Sequence, residues 1–111
     1  MIAIIYGVTE ERAYSQMQKI ITHYKQYYEC DIFNSSKMRS EWRVRFKNDD
    51  YWIAMKYNES RTHGRRANIV YIDTLLEGEA ELNCKLVACA PPYCGISYFS
   101  NGESKYEILD N

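Results

Sequence analysis

The first segment of the chain, MIAIIYG, constrains the fold most strongly, because residues 1–6 are apolar or aromatic without interruption and residue 7 is glycine. A nearly continuous apolar run of this length is typical of a β-strand that is buried on both faces, as parallel strands between helices are. A strand with one face in water would instead alternate between apolar and polar residues. The segment therefore predicts an α/β domain.

A helix is predicted directly after this strand. Thr9 is a typical N-cap residue, and Glu10 and Glu11 place negative charge in the first turn, where the helix dipole favours it. Apolar residues then recur at helical spacing, which predicts a helix over residues 10–28 with one face on the sheet. That face comprises Ala13, Met17, Ile20, Ile21, Tyr24 and Tyr28, and the polar face comprises Arg12, Gln16, Lys19 and Lys25.

The middle of the chain changes to a period of two. Trp42, Val44 and Phe46 alternate with Arg43, Arg45 and Lys47, which predicts one strand of an antiparallel hairpin. Residues 48–50 form its turn and residues 51–57 its return strand. The neighbouring predictions are a short strand over residues 30–33, a polar turn over 34–36 and a polar, basic loop over 58–68.

The last third of the chain contains shorter elements. The sequence predicts a central buried strand over residues 69–72, a short helix over 74–82, and strands over 85–89, 96–99 and 105–109. With 111 residues, of which 46% are hydrophobic and 26% charged, the chain has the size and composition of one globular domain. We therefore expect a single small α/β domain over residues 1–111, with a three-layer sheet and an inserted antiparallel hairpin.

Charge and apolar patterning narrow the classes of function. The net charge is −1, so no global field favours nucleic acid or a membrane, and any basic patch must be local. No segment approaches the ~18 apolar residues that a membrane-spanning helix needs. We therefore expect a cytoplasmic protein, in which the four cysteines would be reduced thiols.

Four local patterns occur in an order that resembles the ATPase domain of phage terminase large subunits, the DNA-packaging motors related to superfamily-2 helicases. MIAIIYGVTEERAYSQMQKI resembles the strand and helix after the family's phosphate loop, and RVRFKNDDYWIAM resembles its hairpin. GRRANIVYID resembles the segment that leads into its Walker B strand, and LVACAPPYCGISYF resembles the motif that couples hydrolysis to movement. The resemblance covers residues 1–99 and implies a phage origin, a truncated P-loop ATPase core and Asp73 as a remnant Walker B aspartate.

The sequence also departs from this family at the residues that carry its chemistry. Hydrolysis requires a glycine-rich loop ending in Gly-Lys-Ser/Thr, and no lysine in this chain follows a glycine. Thr74 follows Asp73 where the family carries a second acidic residue. We therefore expect no ATP hydrolysis, no cofactor and no catalytic residue, and we expect Asp73→Asn to be tolerated.

Cysteine and carboxylate spacing does not favour a metal site. Cys84, Cys89 and Cys94 are five residues apart, unlike the short gaps of common zinc sites. The carboxylates that follow the strand at 69–72 are the other candidate ligands, although such a run is more often a solvated helix face. They are Asp73, Glu77, Glu79 and Glu81. We expect no bound metal.

The basic hairpin and loop are the candidate binding surface. The cations are Arg43, Arg45, Lys47, Arg61, Arg65 and Arg66, and the aromatic residues available for stacking are Trp42, Tyr51 and Tyr57. The alternative is an ordinary soluble hairpin face, in which Asp49, Asp50 and Glu59 balance the cations. The leading functional hypothesis is a non-catalytic protein that binds a packaging, replication or host-defence component such as a CRISPR nuclease. The competing hypotheses are a nucleic-acid-binding module that uses the same cations and a subunit that completes an ATPase in trans.

Overall fold

The computed structural model describes residues 1–38, 40–59, 66–87 and 95–100. These residues form six strands and two helices. The strands are β1 (Ile2–Gly7), β2 (Ile32–Lys37), β3 (Glu41–Phe46), β4 (Tyr51–Lys56), β5 (Ile69–Asp73) and β6 (Gly95–Phe99), and the helices are α1 (Glu10–Tyr28) and α2 (Glu79–Val87). The strands make one mixed sheet in the order β2-β3-β4-β1-β5-β6. The chain is thus a small mixed α/β domain.

β1 lies inside the sheet, with β4 and β5 as its parallel neighbours. β6 extends the parallel part beyond β5, whereas β3 runs antiparallel to both β2 and β4. All residues of β1 after Ile2 are buried. The prediction that this segment is a strand buried on both faces is confirmed.

The two helices lie on opposite faces of the sheet. Ala3 and Ile5 of β1 join a core cluster with α1, while Ile4 and Tyr6 join a second cluster that includes Cys84 of α2. The residues of α1 that are buried against the sheet are Ala13, Gln16, Met17, Ile20 and Tyr24. The predicted apolar face of α1 is therefore confirmed except at Tyr28, which is 58% exposed, and Gln16 is wrongly predicted on the polar face.

The connection between β1 and α1 requires glycine at residue 7. A Cβ atom on Gly7 would lie 2.5 Å from the Thr9 carbonyl oxygen and 2.8 Å from the Ala13 nitrogen, and both are backbone atoms that cannot move aside easily. The Thr9 hydroxyl accepts a hydrogen bond from the Arg12 backbone N–H at 3.2 Å, as an N-cap does. The predicted helix start at Thr9 is confirmed, and the first turn of α1 lies directly against the end of β1.

Three predicted elements differ from the structure. Residues 34–36 are not a turn, because they continue β2, which pairs with β3 as far as Lys37. The helix predicted over 74–82 begins only at Glu79, since Gly78 has φ +60 and the preceding residues turn back on Asp73. Residues 85–87 of the strand predicted over 85–89 consequently belong to α2. The strand predicted over 105–109 lies outside the described residues.

The hairpin and the strand over 69–72 are confirmed as β3–β4 and β5, and the strand over 96–99 as β6. Neither of the two helices described has the length and apolar character that a bilayer crossing requires.

We predict that Val70→Asp unfolds the domain. Val70 is completely buried in β5 between β1 and β6. An unpaired carboxylate there costs several kcal/mol, which is comparable to a total stability of roughly 5–15 kcal/mol. Ile96→Asp is the matched control, since Ile96 pairs with Val70 across the sheet but is 41% exposed. Circular dichroism during thermal unfolding measures both, and a cooperative transition in Val70→Asp near that of the native protein would contradict the prediction.

Candidate functional site

The carboxyl ends of β1 and β5 form the first place where a site is expected. The chain leaves β1 through α1, on one face of the sheet, toward β2 at one edge. It leaves β5 through α2, on the other face, toward β6 at the other edge. Adjacent parallel strands whose connections leave in opposite directions create a crevice at their carboxyl ends, where open α/β sheets bind ligands. Asp73 is the last residue of β5 and lies in this crevice.

The Asp73 carboxylate is completely buried and accepts four hydrogen bonds. Arg12 donates two of them, from Nε to Oδ2 at 2.6 Å and from Nη2 to Oδ1 at 2.7 Å. The backbone N–H of Val8 donates to Oδ2 at 3.0 Å, and that of Leu75 donates to Oδ1 at 3.1 Å. A carboxylate has about four acceptor positions, so both oxygens are fully used within the fold.

These contacts also set the protonation state of Asp73. Burial alone would raise the pKa of the carboxyl group, but the hydrogen bonds from Arg12, Val8 and Leu75 outweigh it, so the pKa is lowered. The hydrogen bond to Asp73 in turn raises the pKa of the Arg12 guanidinium. The two groups form an ion pair that joins the first turn of α1 to the end of β5. Arg12, which the sequence predicts on the polar face of α1, is thus mostly enclosed by its contact with Asp73.

The other candidate metal ligands that the structure describes do not converge. No three His, Cys, Asp or Glu side chains of the described residues are grouped to hold an ion. Glu81 belongs to α2, where it binds Lys85 and accepts from the Tyr98 hydroxyl. Cys84 lies on the buried face of the same helix, and burial raises the pKa of its thiol to about 12. Cys89 and Cys94 lie outside the described residues.

The second candidate site lies on the same face of the sheet as α2. It is at the β2 end of the strand order, whereas α2 packs near β5. Here side chains of β2, β3 and β4 surround a depression of about 330 Å³. We call it the arginine trough, and its lining residues are Asn34, Ser36, Arg43, Arg45 and Tyr51. The register explains the grouping, since Asn34 pairs with Arg45, Ser36 with Arg43, and Arg45 with Tyr51.

The two arginines of the trough have different surroundings. Arg43 donates from Nη2 to Glu41 Oε1 at 2.9 Å, and this hydrogen bond raises the pKa of the guanidinium. Arg45 lies 4.7 Å from the centre of the Tyr51 ring, in cation–π geometry, and 4.0 Å from the highly exposed carboxylate of Asp49. An ion pair that exposed contributes little. Arg45 is thus the cation of the trough that is more available to a ligand.

The predicted surface residues separate in the structure. Trp42 is only 7% exposed, and its Nε1–H donates to the Ser35 hydroxyl at 2.9 Å, so its prediction as a stacking platform is wrong. Alternation identified the two faces of β3 correctly, but the face with Trp42 is the one covered by α1.

Tyr57, Lys47 and Arg66 are not among the residues that line the trough. Tyr57 follows the opposite end of β4 from Tyr51, roughly 20 Å away at the usual rise per residue. Its hydroxyl accepts from Asn83 Nδ2 at 3.0 Å, which ties it to α2. Lys47 is exposed in the hairpin turn and Arg66 is exposed before β5. Arg61 and Arg65 lie outside the described residues.

No protein-family model, no curated protein and no solved structure matches this chain. The resemblance to terminase ATPase domains therefore depends on the local sequence patterns alone.

We predict that Asp73→Asn destabilises the protein by about 3–5 kcal/mol, contrary to the tolerance expected from sequence. Removing one member of a buried ion pair leaves the other charge uncompensated. Arg12→Met should cost a similar amount, and the double variant should lose less than the sum of the two. Lys85→Met is the control, because it breaks the more exposed pair with Glu81 and should change stability much less. Urea unfolding measures all four variants, and strictly additive losses would contradict a direct coupling.

We also predict that Asp73 makes stability sensitive to acid. The pKa of Asp73 is lower in the folded than in the unfolded chain. Its contribution to the free energy of unfolding is therefore fully present above the unfolded pKa of about 3.9, and it is lost as pH falls through the folded pKa. Urea unfolding between pH 6 and pH 2 should show a steeper loss for the native protein than for Asp73→Asn. Parallel pH profiles for the two proteins would show that Asp73 does not carry the effect.

Proposed function

We propose that this chain is a non-catalytic binding protein that engages a protein partner through the arginine trough. The observation that carries the proposal is the grouping of two partly exposed arginine side chains around Tyr51, in a depression whose lining residues, among those that the structure describes, include no carboxylate. Arginine and tyrosine are enriched among the residues that anchor protein interfaces. Asn34 and Ser36 add short polar side chains to the same surface.

The crevice at Asp73 supports a function without nucleotide chemistry. Both oxygens of Asp73 accept hydrogen bonds from the fold itself, which leaves no acceptor for a metal-bound water. At the N-terminus of α1, Thr9 caps the helix and Glu10 and Glu11 add negative charge, which disfavours a phosphate at this end of the crevice. These contacts favour a degenerate site over one that a partner chain completes in trans.

The charge distribution favours a protein over a nucleic acid as the partner. Arg43 is paired with Glu41, which leaves Arg45 as the more available cation of the trough. A nucleic-acid-binding surface instead gathers uncompensated cations that each neutralise a phosphate. Trp42 is also buried, which removes one of the three aromatic residues that the nucleic-acid hypothesis would use for stacking.

The resemblance to phage motor proteins suggests the setting. A phage-encoded protein would act in the cytoplasm of the host cell. Its partner would then be a packaging, replication or host-defence component.

We predict that Arg45→Glu abolishes partner binding while leaving the fold intact. The side chain of Arg45 is 42% exposed and its nearest carboxylate is exposed Asp49, so its loss removes little stability. A like charge placed opposite an acidic partner costs several kcal/mol in affinity. Lys25→Glu is the matched control, since it reverses an exposed charge on α1, away from the trough.

Affinity purification from host-cell lysate, quantified by mass spectrometry, compares the native protein with the two variants. We expect a set of proteins that is lost at least tenfold with Arg45→Glu and retained with Lys25→Glu. Equal recovery of every protein by all three would contradict the proposal. Binding of a 20-nucleotide single strand that weakens steeply with salt would instead support the nucleic-acid alternative.

A further inference from the structure

β2 forms one edge of the sheet and is open to solvent. Its only sheet neighbour among the described residues is β3, and every residue from Phe33 to Lys37 is exposed. The outer side of an edge strand presents backbone N–H and C=O groups that can pair with another strand. In this protein that open edge borders the arginine trough, because Asn34 and Ser36 belong to both.

The register with β3 identifies the backbone groups that point outward. The Met38 N–H donates to the Glu41 carbonyl at 2.8 Å, which makes these residues a hydrogen-bonded pair. Hydrogen-bonded and non-hydrogen-bonded pairs alternate along an antiparallel ladder. Ser36 and Asn34 therefore bond to β3, whereas Ser35 and Lys37 direct their N–H and C=O groups away from it. A register irregularity between Ile32 and Asn34 ends this regular stretch.

We infer that a partner protein adds an extended, acidic segment along the outer edge of β2, so that alternate side chains of the segment enter the arginine trough. This inference rests on the proposed binding function and specifies how the partner is held. An added strand would lie about 4.8 Å from β2, so β3 would be its second neighbour. The short side chains of Asn34 and Ser36 leave the space above β2 open, and the long side chains of Arg43 and Arg45 can cross it.

Charge selects the occupant of this edge. A carboxylate on the added segment would form charge-assisted hydrogen bonds with the guanidinium groups, which are stronger than neutral ones. A second copy of this chain is disfavoured, because two copies joined along β2 would bring four guanidinium groups together. Phe33 is 69% exposed where the regular stretch ends and offers an apolar contact on the same edge. The occupant is therefore a strand with acidic residues at alternate positions.

A displayed library of random twelve-residue peptides, selected on the immobilised full-length protein, tests the inference. We expect enrichment of peptides with Asp or Glu at alternate positions. These peptides should bind Ser35→Pro about tenfold more weakly than Ser35→Ala, the size expected for about one lost hydrogen bond. Both variants lose the hydroxyl that accepts from Trp42, so they differ chiefly in the outward N–H that proline lacks.

A second measurement uses the native protein alone and does not depend on how the proline variant folds. One selected peptide is synthesised with a single N-methyl group at each residue in turn. In a strand, only every second N–H faces the neighbouring strand. We therefore expect binding to be lost at alternate residues and retained at the residues between them.

The outcomes separate this inference from the proposed function. Equal binding to Ser35→Pro and Ser35→Ala, N-methyl effects without alternation, or a library with no enriched peptide would overturn strand addition. If peptides were enriched but strand addition was overturned, and these peptides still failed to bind Arg45→Glu, the proposed use of the trough would stand. Selected peptides that bound Arg45→Glu like the native protein would overturn both. A dimer of the native protein that Ser35→Pro dissociated would replace the partner segment with a second copy.

Discussion

The ion pair between Arg12 and Asp73 joins the helix on one face of the sheet to the strand that leads to the helix on the other face. Arg12 belongs to the first turn of α1, on one face of the sheet, and Asp73 ends β5, whose chain continues to the helix on the other face. The Asp73 carboxylate also accepts hydrogen bonds from the backbone N–H groups of Val8 and Leu75. The end of β5, the start of α1 and the turn after β5 therefore all contact this one side chain. This arrangement occupies the crevice in which an open α/β sheet usually binds its ligand.

The ion pair occupies that crevice, and the binding surface that we propose lies elsewhere, on β3. β3 alternates between residues buried under α1 and residues on the opposite face, and α2 packs on that face at β5 rather than at β3. The arginines are therefore left half-exposed beside a strand edge. The same alternation that stabilises the core through Val44 and Phe46 thus displays Arg43 and Arg45 to solvent.

Local patterns predicted local structure well and distant contacts poorly. The N-cap at Thr9, the limits of α1 and the β3–β4 hairpin depend on neighbouring residues, and the structure contains them as predicted. The role of Arg12 depends on Asp73, which is 61 residues away in the sequence. The periodicity of apolar residues gives information only on neighbouring residues, so it could not predict this contact. Alternation marked two faces of β3 but could not tell which one α1 would cover, so Trp42 was wrongly placed at the surface.

The sheet edge shows the same limit. Asn34, Ser35 and Ser36 have the composition of a turn, and they form a strand only because β3 supplies a partner for their backbone. Asn34 and Ser36 line the trough, and because their composition is typical of a turn, the sequence alone did not predict them as part of the candidate site.

The position of β1 also affects how the protein is made. Ile2 pairs with Tyr51 and Ala3 pairs with Ile69, so this apolar strand has both of its neighbours far downstream in the chain. At a synthesis rate of roughly 5–20 residues per second, a ribosome needs roughly 3–15 s to proceed from β1 to β5. During that interval an isoleucine-rich segment emerges without the strands that will enclose it, although α1 can already cover one of its faces. The central strand of the finished sheet therefore depends on α1 for cover until its two neighbouring strands have been synthesised.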